Sequence, residues 1–135
     1  VTVYARKHFK AREAITLLDA YLKHLPYSYE LLNAKASVYI ERGNIAAAMP
    51  VLMKSAELKD DWAQTLAGKH LVNGWGVRRD TEKGLNLLRA AADNDYRDAQ
   101  ASLVLALESL GRTKEAEQAR KRYTPQDSTP SYTYR

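Results

Sequence analysis

Residues 72–84 read VNGWGVRRDTEKG, with glycines at 74, 76 and 84 and a tryptophan at 75. The stretch poses a choice between a loop that cradles a ligand and a turn that reverses the chain. A phosphate-binding loop of the dinucleotide type needs a third glycine where Arg79 stands, a strand before it and a helix opening directly after it. All three requirements fail. As a turn, each residue has a use. Gly74 and Gly76 allow the positive φ that ends one helix and redirects the chain, Val77 tucks beneath the turn, and Asp80 caps the positive end of the next helix. The stretch is therefore expected to join two helices as a turn, not to cradle a phosphate.

Reading outward, the flanking sequence repeats itself. KAREAITLLDAYLKHLP, residues 10–26, lies over NIAAAMPVLMKSAELKD, residues 44–60, at an offset of 34, with Ala14 on Ala48, Leu18 on Leu52 and Leu22 on Ala56. Apolar residues recur at steps of three and four in both, which is one face of an amphipathic helix. ELLNAKASVYIERGN, residues 30–44, carries the same period through Leu32, Ala36 and Tyr39. Gly43–Asn44 then supplies a left-handed helix end followed by an N-cap, so these segments form an antiparallel hairpin. A second pair, WAQTLAGKHLVNG from Trp62 and DAQASLVLALESLG from Asp98, aligns at an offset of 36 and shares Ala-Gln at 63–64 and 99–100, with Leu71 on Leu107. No strand-like alternation competes except VTVY at the start, which the helical pattern after it absorbs.

A hairpin of this length with Ala36, Tyr39 and Ala48, closed by Pro26 in the unit before it, resembles the tetratricopeptide repeat. Residues 63–99 look like a Sel1-like repeat, the variant with the longer turn, through Ala63, Gly68, Gly74, Gly76, Val77, Asp80, Lys83, Ala91, Ala92 and Ala99. The segment from Ala99 to Tyr123 is tetratricopeptide-like through Gly111 and Ala116, and together the resemblances span residues 4–123. Gly84, Leu87, Asp95 and Leu71 depart from the Sel1-like pattern, which has alanine, an aromatic, glycine and tyrosine there. The resemblance implies an all-α, right-handed α-solenoid of about 3.5 to 4 repeats. Its units fall near 1–26, 27–60, 61–97 and 98–123, with residues 124–135 as a flexible tail containing Tyr132 and Tyr134.

Composition excludes several chemistries. There is no cysteine, hence no disulfide framework, thiolate metal site or cysteine nucleophile, and the compartment is left open by this criterion. The formal charge of +5 is concentrated at the two ends, with Arg6, Lys7, Lys10 and Arg12 near the first and a basic run over 112–123 near the second. A phosphate-tracking groove needs a continuous basic stripe with stacking aromatics, so no nucleic-acid partner is expected. No apolar run is long enough for a membrane span. His8, His24 and His70 form no metal-binding pair. The carboxylate pairs Glu30 with Glu41 and Asp60 with Asp61 lack a desolvating pocket, and Ser37, Ser55, Ser102 and Ser109 lack a nucleophile elbow. The chain reads as non-enzymatic, without cofactor or metal.

A solenoid of hairpins leaves its first helices side by side along a concave groove. Helical spacing places Glu30, Asn33, Ser37, Ile40 and Glu41 on that face of the second unit, and Trp62, Thr65, Lys69, Val72 and Asn73 on that of the third. This mixed, polar face, unsaturated in hydrogen bonds, suits an extended peptide or a loop of a partner protein. Trp62 and Trp75 are the candidate anchors. KEAEQARKRY, from Lys114, is a terminal capping helix, whereas the first unit has its second helix and only a stub of its first, leaving an apolar face for missing upstream repeats, a partner or a second copy. The start at Val1 favours a segment of a bacterial envelope component, of the kind that docks enzymes onto polysaccharide-export or secretion machinery in the periplasm. The alternative is a stand-alone adaptor or inhibitor-type protein wrapping one target. Pro50, inside the helix begun at Asn44, breaks the local rule at a cost of about 3 kcal/mol, and predicts a kink or a later helix start.

Overall fold

Why five helices in a row each stop at 13 residues is visible at their ends. The computed structural model describes residues 3–124, with side chains from Lys10 onward. Among them there are seven helices and no strand: α1 (Val3–His24), α2 (Tyr29–Glu41), α3 (Ile45–Glu57), α4 (Asp61–Asn73), α5 (Thr81–Asp93), α6 (Arg97–Ser109) and α7 (Thr113–Tyr123). Helices α2 to α5 begin on a side-chain cap, in which Ser28, Asn44, Asp60 and Asp80 accept from the backbone N–H three residues on. Four helices close on the same device. A residue with positive φ, at Gly43, Lys59, Asp95 or Gly111, lets the following N–H reach back to Tyr39, Ser55, Ala91 or Leu107. Asp95, a departure from the Sel1-like pattern, thus takes up the backbone conformation that favours glycine.

Each helix packs on the next, and α4 also packs on α6, an arrangement consistent with an α-solenoid. The core divides into two clusters. Ala36, Met49, Leu52, Ala56, Ala63, Ala67 and Leu71 fill the space between α2, α3 and α4. Leu85, Leu88, Ala91, Ala92, Ala99, Leu103, Leu107 and Ala116 fill that between α5, α6 and α7, with Val72 reaching in from α4. The shared Ala-Gln pairs now have a physical explanation. Ala63 and Ala99 are fully buried, while Gln64 donates to the carbonyl of Ala56 at 3.3 Å and Gln100 to that of Ala92 at 3.1 Å. Each glutamine adds a side-chain bond to a carbonyl in the last turn of the preceding helix, which also accepts from the backbone N–H of Lys59 or Asp95.

The tightest joint is between α4 and α5. A Cβ on Gly84 would lie 2.6 Å from Val72 Cγ2 and 2.8 Å from the Gly68 carbonyl oxygen, and one on Gly68 would lie 2.9 Å from the Gly84 carbonyl oxygen. The two glycines face each other and bring the backbones together. The turn after α4 behaves as its sequence predicts. Gly74 and Gly76 have φ of 66° and 69°, Val77 is half-buried against the first cluster, and Asp80 caps α5.

Ion pairs tie α5 to α7. Arg112 bonds Glu82 at 2.6 Å and Glu115 at 2.8 Å, and Arg89 reaches Glu115 at 3.0 Å. The hydrogen bond from Arg112 holds the Glu115 carboxyl below the usual range. Its contribution to stability is therefore present above the ordinary carboxyl value and lost as pH falls through the lowered one. Tyr123 donates to Asp93 at 2.6 Å, and burial together with that bond pushes the phenol up to about 12.

One expectation is corrected and another is narrowed. Among the described residues Val3–His24 is one unbroken helix with no separate stub of an earlier one, and Val1 and Thr2 of VTVY lie outside them. Of the two outcomes expected at Pro50, the later start is excluded, because α3 starts at Ile45 and runs through Pro50. Pro50 and Ala46 are both exposed, so the Ala46 carbonyl, which a non-proline residue at 50 would bond, lies on the solvent side. The tail from 125, with Tyr132 and Tyr134, lies outside the described residues. Among the described residues no helix is long and apolar enough to cross a membrane.

Candidate functional site

The close approach of α5 behind α4 leaves a cleft on the other side, where α4 and α6 run side by side. Its volume is about 340 Å³, within the range of ligand-sized pockets. Leu88 and Val72, both buried, make the floor. Leu105, Ala106, Ser102 and Ser109 line one wall from α6, and Lys69 and Asn73 line the other from α4. Trp75, in the turn after α4, closes one end.

Two large apolar side chains stand out of this cleft: Trp75 is 56% exposed and Leu105 is 62% exposed. Trp75 is nonetheless fixed. Its backbone N–H donates to the His70 carbonyl at 3.1 Å, and the His70 ring meets the indole edge-on with centroids 6.1 Å apart. His70 Nδ1 lies 3.0 Å from the Trp75 carbonyl oxygen; because a carbonyl only accepts, Nδ1 carries the proton. An exposed indole held in place forfeits little entropy on binding, which is what an anchor requires.

The polar wall is set by the fold. Lys69 pairs with Asp98 at 3.2 Å across the two helices, and Ser102 donates to the same carboxylate at 3.4 Å. Asn73 donates to the Lys69 carbonyl at 2.8 Å and remains exposed.

The cleft thus gathers Lys69, Val72 and Asn73 from the face read in the sequence; the other residues of that face lie elsewhere. Asn33 is a bridge, donating to Asp60 at 2.9 Å and accepting from Ser55 at 2.6 Å, and so fixes the cap of α4 to α3. Thr65 is 2% exposed and bonds the Asp61 carbonyl at 2.7 Å, so it is not a surface residue. Trp62 and Ile40 are half-buried against the first core cluster. Glu30 is exposed and accepts from Ser28 at 3.1 Å, Glu41 is exposed, and Ser37 is half-buried. A face unsaturated in hydrogen bonds is therefore not what these residues make, because Asn33, Thr65, Lys69 and Asn73 each have a partner within the chain.

Sequence reasoning missed the α6 wall, although its signal was present. At the offset of 36 that aligns α4 with α6, Lys69 falls on Leu105 and Asn73 on Ser109. Among the described residues no three histidine, aspartate or glutamate side chains are grouped to hold a metal. Comparison of the chain with family models, curated proteins and solved structures returns no match.

Proposed function

We propose that this chain is a right-handed α-solenoid of tetratricopeptide and Sel1-like hairpins that acts, without catalysis, as a protein-binding module. Its ligand is an extended segment of a partner protein that seats one bulky apolar side chain in the α4–α6 cleft. The observation that carries the reading is the pair Trp75 and Leu105, both more than half exposed beside a floor of Leu88 and Val72. Exposed aromatics on a rigid support concentrate binding energy, and the polar groups around them orient a peptide backbone without supplying much affinity.

Selection of peptides from a random display library against the chain tests this. Binders are expected to share one leucine or aromatic position, and Leu105→Glu is expected to weaken them by about tenfold or more. Glu30→Lys, outside the cleft, is expected to leave them unchanged. Binders that tolerate Leu105→Glu and respond to Glu30→Lys would refute the assignment.

A further inference from the structure

Helices α6 and α7 leave a groove of about 1150 Å³ between them, larger than the α4–α6 cleft. Ala101, Val104 and Leu105 of α6 and Ala119 and Tyr123 of α7 give it an apolar lining, in which Ala101 is exposed and Leu105 is 62% exposed. Leu105 also lines the α4–α6 cleft, so it is the ridge that groove and cleft share. The opposite end of the groove lies at Arg97, where α6 begins, and at Thr124, directly after α7. Arg122 and Tyr123 both hold Asp93, just ahead of α6, which sets the end of α7 beside the start of α6.

We infer that this groove takes residues 125–135 of the chain itself, with Tyr132 and Tyr134 against the apolar lining at Leu105. Position favours this occupant, because Thr124 itself lines the groove and the residues after it start there. Reach is sufficient. Along α6, Arg97 and Leu105 are about 12 Å apart, and the chain from Thr124 to Tyr132 extends to roughly 26 Å. Chemistry agrees: Tyr132 and Tyr134 are the only large apolar residues of the segment, and they fall on one side of an extended chain. Pro125 and Pro130 suit that extended path and not a further helix. The groove carries Arg97, Arg120 and Arg122 against Asp95. Arg120 pairs with Glu108 and Arg122 with Asp93, whereas Arg97 has no ion-pair partner among the described residues. Asp127, the one acid of the segment, follows Thr124 by three residues, about 10 Å of chain, and is placed to meet Arg97. A segment tethered this closely acts at an effective concentration on the order of millimolar, so it outcompetes the same segment of a second copy. The consequence for the cleft rests on the proposed function. Tyrosine on Leu105 covers the wall that a partner's bulky side chain needs, so segment and partner compete there, while Trp75, which does not line the groove, stays open.

The chain has no cysteine, so pairs of introduced cysteines report position on the full chain. Ala101→Cys with Ser131→Cys is expected to close an intramolecular disulfide under mild oxidation at least about fivefold faster than Lys121→Cys with Ser131→Cys. Lys121 is exposed, lies outside the groove and is nearer to Ser131 in sequence, so a segment with no preferred place would favour it instead. Tyr132→Ser with Tyr134→Ser is expected to remove the preference for Ala101. In the cysteine-free chain the same double substitution is expected to tighten binding of a cleft-selected peptide about threefold or more. Equal or faster closure through Lys121→Cys would overturn the inference, as would disulfides formed between chains and not within one. Closure at Ala101 with peptide affinity indifferent to the tyrosines would overturn the competition at Leu105. If no peptide binds any variant, the proposed function fails, and the disulfide rates still decide what fills the groove.

Discussion

The hairpin of α2 and α3 and the hairpin of α4 and α5 use glycine for different physical reasons. At the α2–α3 turn, Gly43 has φ of 72° and a Cβ there would meet nothing within 4 Å, so only the backbone angle asks for glycine. Between α4 and α5 the angle is helical and the space is missing, since a Cβ on Gly84 would come within 2.8 Å of two backbone atoms of α4. Gly76 combines both demands, with φ of 69° and Ile45 of α3 at 2.6 Å from a built Cβ. The second hairpin is also the one that builds the cleft. Drawing α5 tight behind α4 sets Leu88 and Val72 as its floor, and the longer turn puts Trp75 at its end.

Substitution separates these demands. Gly84→Ala is expected to cost the most, about 2–3 kcal/mol even after the roughly 1 kcal/mol of helix propensity that alanine contributes, because the two backbones must move apart. Gly76→Ala should cost about 2 kcal/mol, from the left-handed angle and the contact with Ile45 together. Gly43→Ala, with the angle alone, should cost about 1 kcal/mol. Urea unfolding of the three variants checks the order, and a Gly84→Ala no more harmful than Gly43→Ala would erase the distinction between the hairpins. In the opposite direction, Lys59, which holds φ of 69° without being glycine, is expected to give up to about 1 kcal/mol of added stability as Lys59→Gly.

An effect that shows only at high pH lies at the α5–α7 contact. The Tyr123 phenol keeps its proton longer in the folded chain, so its contribution is complete below the ordinary value of 10.0 and is lost as pH rises from there through about 12. The urea midpoint should fall over that interval, and Tyr123→Phe should remove this part of the fall. A midpoint with the same pH dependence in both proteins would show that Asp93 and Tyr123 do not interact as described.

Much of the fold was legible because it is local. The Gly43–Asn44 and Gly74–Asp80 turns, the two offsets and the apolar period each depend on residues a few positions apart, and the helices begin and end where those signals stand. The meaning of Gly84 was not legible, although it stood out against the pattern, because its partner Gly68 lies on another helix and only their distance explains it. Thr65 and Val72 were misplaced on the surface for a related reason. Helical period fixes a residue's angle on its own helix, but α4 has three helical neighbours, α3, α5 and α6, which leave it a narrow exposed arc. Asn33 had the composition of a groove residue, and a bridge across α3 and the cap of α4 cannot be read from one helix. Leu105 was within reach, by carrying the register of Lys69 forward to α6.

The proposed seat of a partner segment is the α4–α6 cleft, with Trp75 at its end. Replacing Trp62 by phenylalanine leaves Trp75 as the only tryptophan, so its fluorescence reports that place alone. On adding a selected binding peptide, a blue shift of the Trp75 emission that Leu105→Glu abolishes is the predicted result. Binding detected by calorimetry with the Trp75 emission unmoved would contradict it.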